Sequence, residues 1–425
     1  MWDRPMKTVA RRWFATPLWQ RILLALVLGA AFGLLASQWA VNLQWVGELF
    51  VRLIRMLIVP LVFVTLVAGI TSMGDPKRIG SIGGKAFSLY LVTTFAAIVI
   101  GLAMALVFRP GAGVDLSGAT PRDLGEPVSL QERLMAIVPD NPFMAFATGD
   151  ILAVIFFAVL SGAALLLAGE RGRPLAGVFD AGSEMMLKMT GIVMEFAPVG
   201  VFALIAWVMA TEGPGVFISV SLLALAVYLG CFLHILLTYG GMVRLLARLP
   251  VVPFFKGARE PQLVAYSTSS SAATLPSTLS AAEKQLGIGA PVASSVLPLG
   301  ATINMDGTAL YVAIITLFAA QAFGVDLSTV DYLMIILVTA LVSIGTASVP
   351  SASLFLMAAV LDVIGMTPAQ TALVVGFILP FDRLLDMMRT VANITGDLAV
   401  ATVVARWEGE LEDDVFLQDG PVKNS

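Results

Sequence analysis

FDRLLDMMRTVANITGD, residues 381–397, decides how the rest of this chain is read. It lies inside an apolar run from about Ala369 to Val404, long enough to cross a bilayer, yet it carries Asp382, Arg383, Asp386, Arg389, Asn393 and Asp397. At about 100° per residue these six, with Thr390, fall within an arc of roughly 120° of one helix. The opposite face, with Leu385, Met388, Ala392 and Leu398, is apolar or small. A mid-membrane Asp or Arg costs about 2.5–3.5 kcal/mol on insertion scales, so the cluster costs on the order of 10 kcal/mol unless it is paired or solvated. The helix therefore faces a polar interior. An ion pair between Asp386 and Arg389 accounts for part of the set, but Asp382 and Asp397 here, with Asp306 elsewhere, leave a surplus of acid over the arginines. Surplus buried acid calls for bound cations or protons.

Outward from this stretch, the composition is that of a polytopic helical membrane protein. Of 425 residues, 58% are hydrophobic and only 13% charged, and the mean hydropathy is +0.91, so repeated apolar runs must be accommodated in lipid. Cys231 and His234, the single cysteine and histidine, sit together in the apolar CFLHILL and read as packing residues. A disulfide framework and a Cys/His metal site are thereby excluded. The net charge of −4 says little about partners, because the placement of Lys and Arg matters more than their sum, and nothing points to nucleic acid. Arg4, Lys7, Arg11, Arg12 and Arg21 precede the first apolar segment without a small-residue cleavage site, which reads as a retained first helix.

In chain order, spans are expected at about 17–37, 43–71 (with Arg52 and Arg55 snorkelling or facing protein) and 86–108. A basic link, Gly74–Lys85, joins the second to the third. That link and the basic N-terminus lie in the cytoplasm by the positive-inside rule, and the C-terminus follows. The Pro/Gly-containing segment to Asn141, with charges of both signs, reads as an external connection. Further spans are expected at about 142–169, 185–211 and 215–246, the last ending in a basic loop with Arg244, Arg248, Lys256 and Arg259.

Beyond this loop the pattern changes. VAYSTSSSAATLPSTLSAAE is too polar and broken for a simple span; it fits either a serine-rich linker or a re-entrant helical hairpin. Lys256 and Arg259 before it and Lys284 after it put both ends on one side, as a hairpin requires. SIGTASVPSASLF, residues 343–355, interrupts a second apolar run in the same way. Paired interrupted segments point to a midplane binding site in a secondary transporter, and a half-helix starting at each break offers N–H groups to an anion. Between them a seventh span, about Ala290 to Phe323, is broken by GATINMDGTALY. There Asn304, Asp306 and Thr308 are hard oxygen ligands, and Gly300 and Gly307 permit local unwinding. Such oxygen ligands favour an alkali cation or a proton over a transition metal.

Four motifs now carry a resemblance: TSSSAATLP at 268–276, GATINMDGTALY at 300–311, SIGTASVPSA at 343–352 and LDMMRTVANITGD at 385–397. LIRMLIVPLVF at 53–63, IVPDNPF at 137–143 and FAPVGVFALIAWVMA at 196–210 add to it. In this order, over nearly the whole chain, the sequence resembles the glutamate transporter homologues, the dicarboxylate/amino acid:cation symporters. The resemblance implies an all-α fold of eight transmembrane helices and two re-entrant hairpins with inverted repeats, working as an elevator in a homotrimer of the cell inner membrane. Residues 1–83 and 110–214 would form the trimerisation scaffold, 84–109 and 215–408 the mobile transport domain, and 409–425 a cytoplasmic tail.

Carried over residue by residue, the resemblance makes Asp386 the acceptor for a substrate ammonium and Arg389 the partner of a side-chain carboxylate. Thr308 and Thr390 would assist, Val349 would lie at the substrate, and Asn393 with the backbone near Ser270 and Ser271 would hold the α-carboxylate. For cations it implies one site of Asp397 with Gly300, Asn304 and Asn393, and a second of Asp306 and Asn304 with Tyr90, Thr93 and Thr94. A third combines Thr302, Ser343, Ile344 and Thr346 with Met305. The implied cation is Na⁺, with H⁺ as the alternative. The chain departs from the family in having Ser348, Ser351 and Ser353 where many relatives have glycine, and Val312 where eukaryotic glutamate carriers place a glutamate tied to K⁺ counter-transport. Ser269 stands where some archaeal relatives have arginine, while Arg383 adds a cation on the last helix.

The expected function is Na⁺-driven import of L-aspartate or L-glutamate. A dicarboxylate would leave Asp386 without an ammonium, and a neutral amino acid would leave Arg389 unpaired in a dry site. A proton-coupled glutamate carrier remains an alternative, as does, from another class, an anion channel lined by the same polar groups. A membrane enzyme using Ser270, His234 and an Asp lacks a nucleophile elbow, and no catalytic activity is expected.

Overall fold

The computed structural model describes residues 16, 18–72, 76–114, 138–149, 151–211, 213, 216–344 and 353–417. These are helical apart from short connections and one isolated bridge, Ile288 to Leu411. The first half comprises α1 (Leu18–Leu35), α2 (Gln44–Ser72), α3 (Pro76–Phe108), α4 (Pro142–Thr148), α5 (Ile151–Leu167), α6 (Arg173–Met194), α7 (Ala197–Thr211) and α8 (Val216–Leu233). The second comprises α9 (Val251–Thr268), α10 (Ser271–Lys284), α11 (Ala290–Ile303), α12 (Asp306–Ala322), α13 (Thr329–Ile344), α14 (Ser353–Val363), α15 (Pro368–Glu408) and the short α16 (Asp413–Phe416).

Two boundaries differ from the sequence expectation. Most of the segment expected to link the second and third spans is helix, residues 76–85 being part of α3. The fifth apolar region likewise begins early, at Arg173 with Pro174 in its first turn, and α6 and α7 meet at a 51° bend. The bend falls just before Pro198, which cannot donate to the carbonyl four residues back. There Glu195 receives a two-pronged bond from Arg21 of α1, at 2.7 and 3.1 Å, the guanidinium being buried. Further on, α8 continues into a π-helical segment, His234–Gly240, a wider winding that hydropathy does not reveal.

Helix α12 forms the centre. Sixteen of its residues are buried, as expected for a helix apolar all round and surrounded by protein. It packs against α3, α8, α13, α14 and α15, while α1 and α2 pack on α7 and α2 also on α5 and α6. Small residues set the close approaches: a Cβ at Gly29 of α1 would meet the Phe202 carbonyl oxygen at 2.7 Å. By length and composition three described helices can cross a membrane, or five if each of two bent pairs is one span. Helix α15, at 41 residues, is long enough, but its charged face keeps it out of that set. It starts at a reciprocal capping box, Thr367 Oγ1 accepting from Gln370 N–H and Gln370 Oε1 from Thr367 N–H, and stops at Gly409 with φ 75°.

The segment after α15 does not hang free. Its residues 410–412 lie against the turn before α11, with Gly289 N–H donating to Glu410 O and Glu412 N–H to Gly287 O, both at 2.8 Å, and Phe416 is buried. At the same end Lys85 and Ser81 of α3 each bond Glu408 at 2.8 Å. The Lys85 bond, then that from Ser81, holds the Glu408 carboxyl below its ordinary range.

Candidate functional site

Helices α9 and α10 pack on each other, and the end of one meets the start of the other at Ser269 and Ser270. Ser269 turns the chain there in the left-handed region, φ 51° and ψ 39°, without a glycine. Ser270 then opens α10, its hydroxyl accepting from Ala273 N–H at 3.2 Å, as short polar side chains do at helix starts. Ser269, Ser270 and Ser271 are all buried. The tip lies against the polar face of α15, where Arg383 donates to the Thr268 carbonyl at 3.2 Å, a cation at the negative end of α9. The serine-rich stretch is therefore helical on both sides of its turn and not a structureless linker.

On α15 the central group is Arg389, which is fully buried. Its Nη2 lies 2.7 Å from Asp386 Oδ1 and 3.1 Å from Asp382 Oδ1, and its Nη1 donates to Ser353 Oγ at 2.7 Å. The guanidinium carbon stands 3.9 Å from the centre of the Tyr311 ring, and the Tyr311 hydroxyl donates to Asp382 Oδ1 at 2.9 Å. Asp382 is thus not part of an unpaired surplus of acid, as the sequence suggested: one helical turn beyond Asp386, it reaches the same guanidinium. Arg389 Nε and Asp382 Oδ2 are buried without a hydrogen-bond partner among the described residues. Buried polar atoms of this kind mark places where a ligand can complete the bonding.

Thr390 lies beside this group, its hydroxyl turned to the Asp386 carbonyl at 2.9 Å, and Thr308 is buried one turn into α12. Asn393 joins α15 to the break between α11 and α12. Its Oδ1 accepts from Gly307 N–H at 2.8 Å and its Nδ2 donates to Met305 Sδ at 3.2 Å. A Cβ on Gly307 would stand 2.7 Å from the Arg389 Cα, so only glycine lets the two helices meet here.

Across the same break, Asn304 Nδ2 donates to Asp397 Oδ1 at 2.9 Å and to the Asn393 carbonyl at 3.0 Å, leaving Asn304 Oδ1 buried and unpartnered among the described residues. A Cβ at Gly300 would overlap both Asp397 Oδ1 and the Tyr90 hydroxyl, so those two oxygens flank the same glycine. Asp306 accepts from Thr94 at 2.6 Å and from Tyr239 at 2.8 Å, and its Oδ2 lies 3.2 Å from His234 Nε2. Tyr90, by contrast, gives its hydroxyl to the Val296 carbonyl at 3.1 Å, and Thr93 bonds the Tyr90 carbonyl of its own helix. Thr302 likewise bonds back to Pro298, and Ser343 to Ala340. Ile344 ends α13; Thr346 and Val349 lie outside the described residues.

Sequence reading missed four neighbours. His234, taken for packing, touches Asp306, as does Tyr239, and both belong to the π-helical segment. Tyr311 and Ser353 bracket Arg389. His234, Tyr239 and Tyr311 sit in apolar runs with no periodic signal of their own, and only the π-helix, a form frequent at functional sites, marks two of them in hindsight; Ser353 is singled out in its polar break but given no role.

The family described as the sodium:dicarboxylate symporter family matches residues 18–407. A proton/sodium-glutamate symport protein of Bacillus caldotenax is 35% identical over 93% of this chain and 95% of its own length. A proton/glutamate-aspartate symporter of Escherichia coli is 36% identical over 93% of each chain. A C4-dicarboxylate transport protein of Azorhizobium caulinodans is 34% identical over 95% of this chain and 91% of its own.

Proposed function

The chain belongs to the sodium:dicarboxylate symporter family, and on that premise we propose that this multi-pass membrane transporter imports an acidic amino acid, L-aspartate or L-glutamate, in symport with Na⁺. The observation that carries the substrate is the placement of Asp386 and Arg389, buried one turn apart with 2.7 Å between carboxylate and guanidinium. An amino dicarboxylate matches both, ammonium to Asp386 and distal carboxylate to the planar guanidinium. Entry of the substrate exchanges the internal ion pair for two external ones. Asp382 and Tyr311 keep Arg389 in place meanwhile, so the fork need not reorganise. Succinate lacks the ammonium, and serine lacks the second carboxylate.

The orphan Asn304 Oδ1 beside Asp397, together with backbone carbonyls at the α11–α12 break, suits a hard cation carried as cargo, and Asp306 with Thr94 and Asn304 a second. A proton replacing Na⁺ is the second reading, favoured by the similarity to proton/sodium-glutamate and proton/glutamate-aspartate symporters and by the contact of His234 with Asp306. Two re-entrant hairpins within eight spans, a homotrimeric scaffold around α1, α2 and α5–α7, and an elevator motion of the remainder complete the proposal.

Competition for binding between L-aspartate, L-glutamate, L-serine and succinate, in wild type and Arg389→Cys, tests the substrate assignment. The two acids should compete best in wild type, and serine should gain on them in the variant. Equal competition by serine and aspartate in wild type, or full aspartate affinity in the variant, would leave Arg389 as a structural partner of Asp382 and Asp386 only.

A further inference from the structure

We propose that Ser353 is a specificity-determining residue whose hydroxyl acts with Arg389 as a second hydrogen-bond donor to the distal carboxylate of the substrate; this rests on the acidic amino acid reading above. Ser353 lies on α14 and is only 2% exposed. Its Oγ accepts from Arg389 Nη1 at 2.7 Å. A hydroxyl that accepts this bond still has its own hydrogen to donate, and that hydrogen has no acceptor among the described residues. An unmatched donor, the Ser353 O–H, therefore stands at one buried place beside the Nη1 edge of the Arg389 guanidinium. Leaving a buried donor unmatched is costly, and an oxygen-rich anion beside the guanidinium relieves it.

The charges agree with this direction. Both carboxylates that touch Arg389 do so through Nη2, so Asp382 and Asp386 crowd one nitrogen and leave the Nη1 and Nε edges to other partners. Ser353 stands on the Nη1 edge. A neutral hydroxyl there neither repels an incoming carboxylate nor neutralises the guanidinium, whereas a third acid would do the second. Ser353 thus favours acidic side chains over small neutral ones, because serine or alanine as substrate has no acceptor that reaches these donors.

Ser353→Ala, Ser353→Thr and wild type, purified as the full chain, would be compared for binding of L-aspartate and for competition by L-serine. The expected result is about a tenfold loss of aspartate affinity in Ser353→Ala, equivalent to about 1.4 kcal/mol. Serine affinity should stay unchanged, and Ser353→Thr, which keeps the hydroxyl, should restore most of the aspartate affinity. Unchanged aspartate affinity in Ser353→Ala overturns the proposal, as does an equal loss for aspartate and serine or a failure of threonine to rescue. A wild-type protein that binds neither aspartate nor glutamate overturns the functional reading itself, and this proposal with it.

Discussion

Asn304 and Asp397 face each other across the break between α11 and α12, the amide Nδ2 donating to the carboxylate Oδ1 at 2.9 Å while Asn304 Oδ1 stays buried without a partner. The amide thus neutralises none of the acid's charge, and the unmatched oxygen next to it asks for a positive group. Asp397→Asn removes that charge at nearly constant shape. Because linkage is reciprocal, a site that binds cation and substrate together must lose both affinities together. We expect at least about a tenfold weakening of Na⁺ and of aspartate, a typical coupling size, read by isothermal titration at several Na⁺ concentrations. Loss of one affinity with the other intact would separate Asp397 from the coupling.

Asp386 reports on the other end of the substrate. Its exchange for Asn leaves Arg389 paired with Asp382 alone and takes away the acceptor for the ammonium. Removing one partner of a buried charged pair costs about 2–5 kcal/mol, so aspartate affinity should fall by at least about 30-fold. Binding of labelled aspartate by Asp386→Asn within threefold of wild type, on the order of 0.6 kcal/mol, would place the ammonium elsewhere.

The Gly307 contact predicts a stability effect in place of a binding one. An alanine Cβ would stand 2.7 and 2.8 Å from Arg389 Cα and carbonyl carbon, and backbone cannot yield as a side-chain tip can. Overpacking of this kind costs about 1–3 kcal/mol. Gly307→Ala should lower the thermal midpoint in detergent, whereas alanine at Gly177, which has open space around its would-be Cβ, should not.

At the other end of the molecule, Glu408 links α3 to α15 through Lys85 and Ser81. Its carboxyl is held below the ordinary range, chiefly by Lys85, so the folded state favours the ionised form. The stabilisation is then present above the ordinary carboxylate range and fades as pH falls through the lowered value. Glu408→Gln should lower the thermal midpoint slightly at pH 7, with the difference closing under acid. A difference that widens with acid would contradict the assignment.

How much of this was legible in the chain follows from where each signal lives. The polar face of α15, the serine-rich turn and the NMDGT break could be read because they place hydrophilic residues where lipid or core demands apolar ones, a local conflict visible without coordinates. His234, Tyr239 and Tyr311 could not, because each lies in an apolar helix and gains its meaning from an Asp on another element 67 to 72 residues away. Asp382 was misjudged for a related reason. Its sequence neighbours suggested surplus charge, and only the side-chain directions on α15 show that one guanidinium serves both carboxylates. The early start of α6 escaped notice because a proline that ends one helix and a proline that begins another look alike until the preceding turn is known.

The central claim, symport of an acidic amino acid with Na⁺, meets its most direct test in liposomes containing the purified full-length protein. Uptake of labelled L-aspartate and L-glutamate would be followed under an inward Na⁺ gradient, an inward proton gradient, or neither, with unlabelled succinate and L-serine as competitors. The account predicts saturable uptake of at least one acid that requires the Na⁺ gradient and resists both competitors. Uptake driven by the proton gradient alone would contradict Na⁺ coupling, and uptake abolished by succinate or serine would contradict the joint action of Asp386 and Arg389.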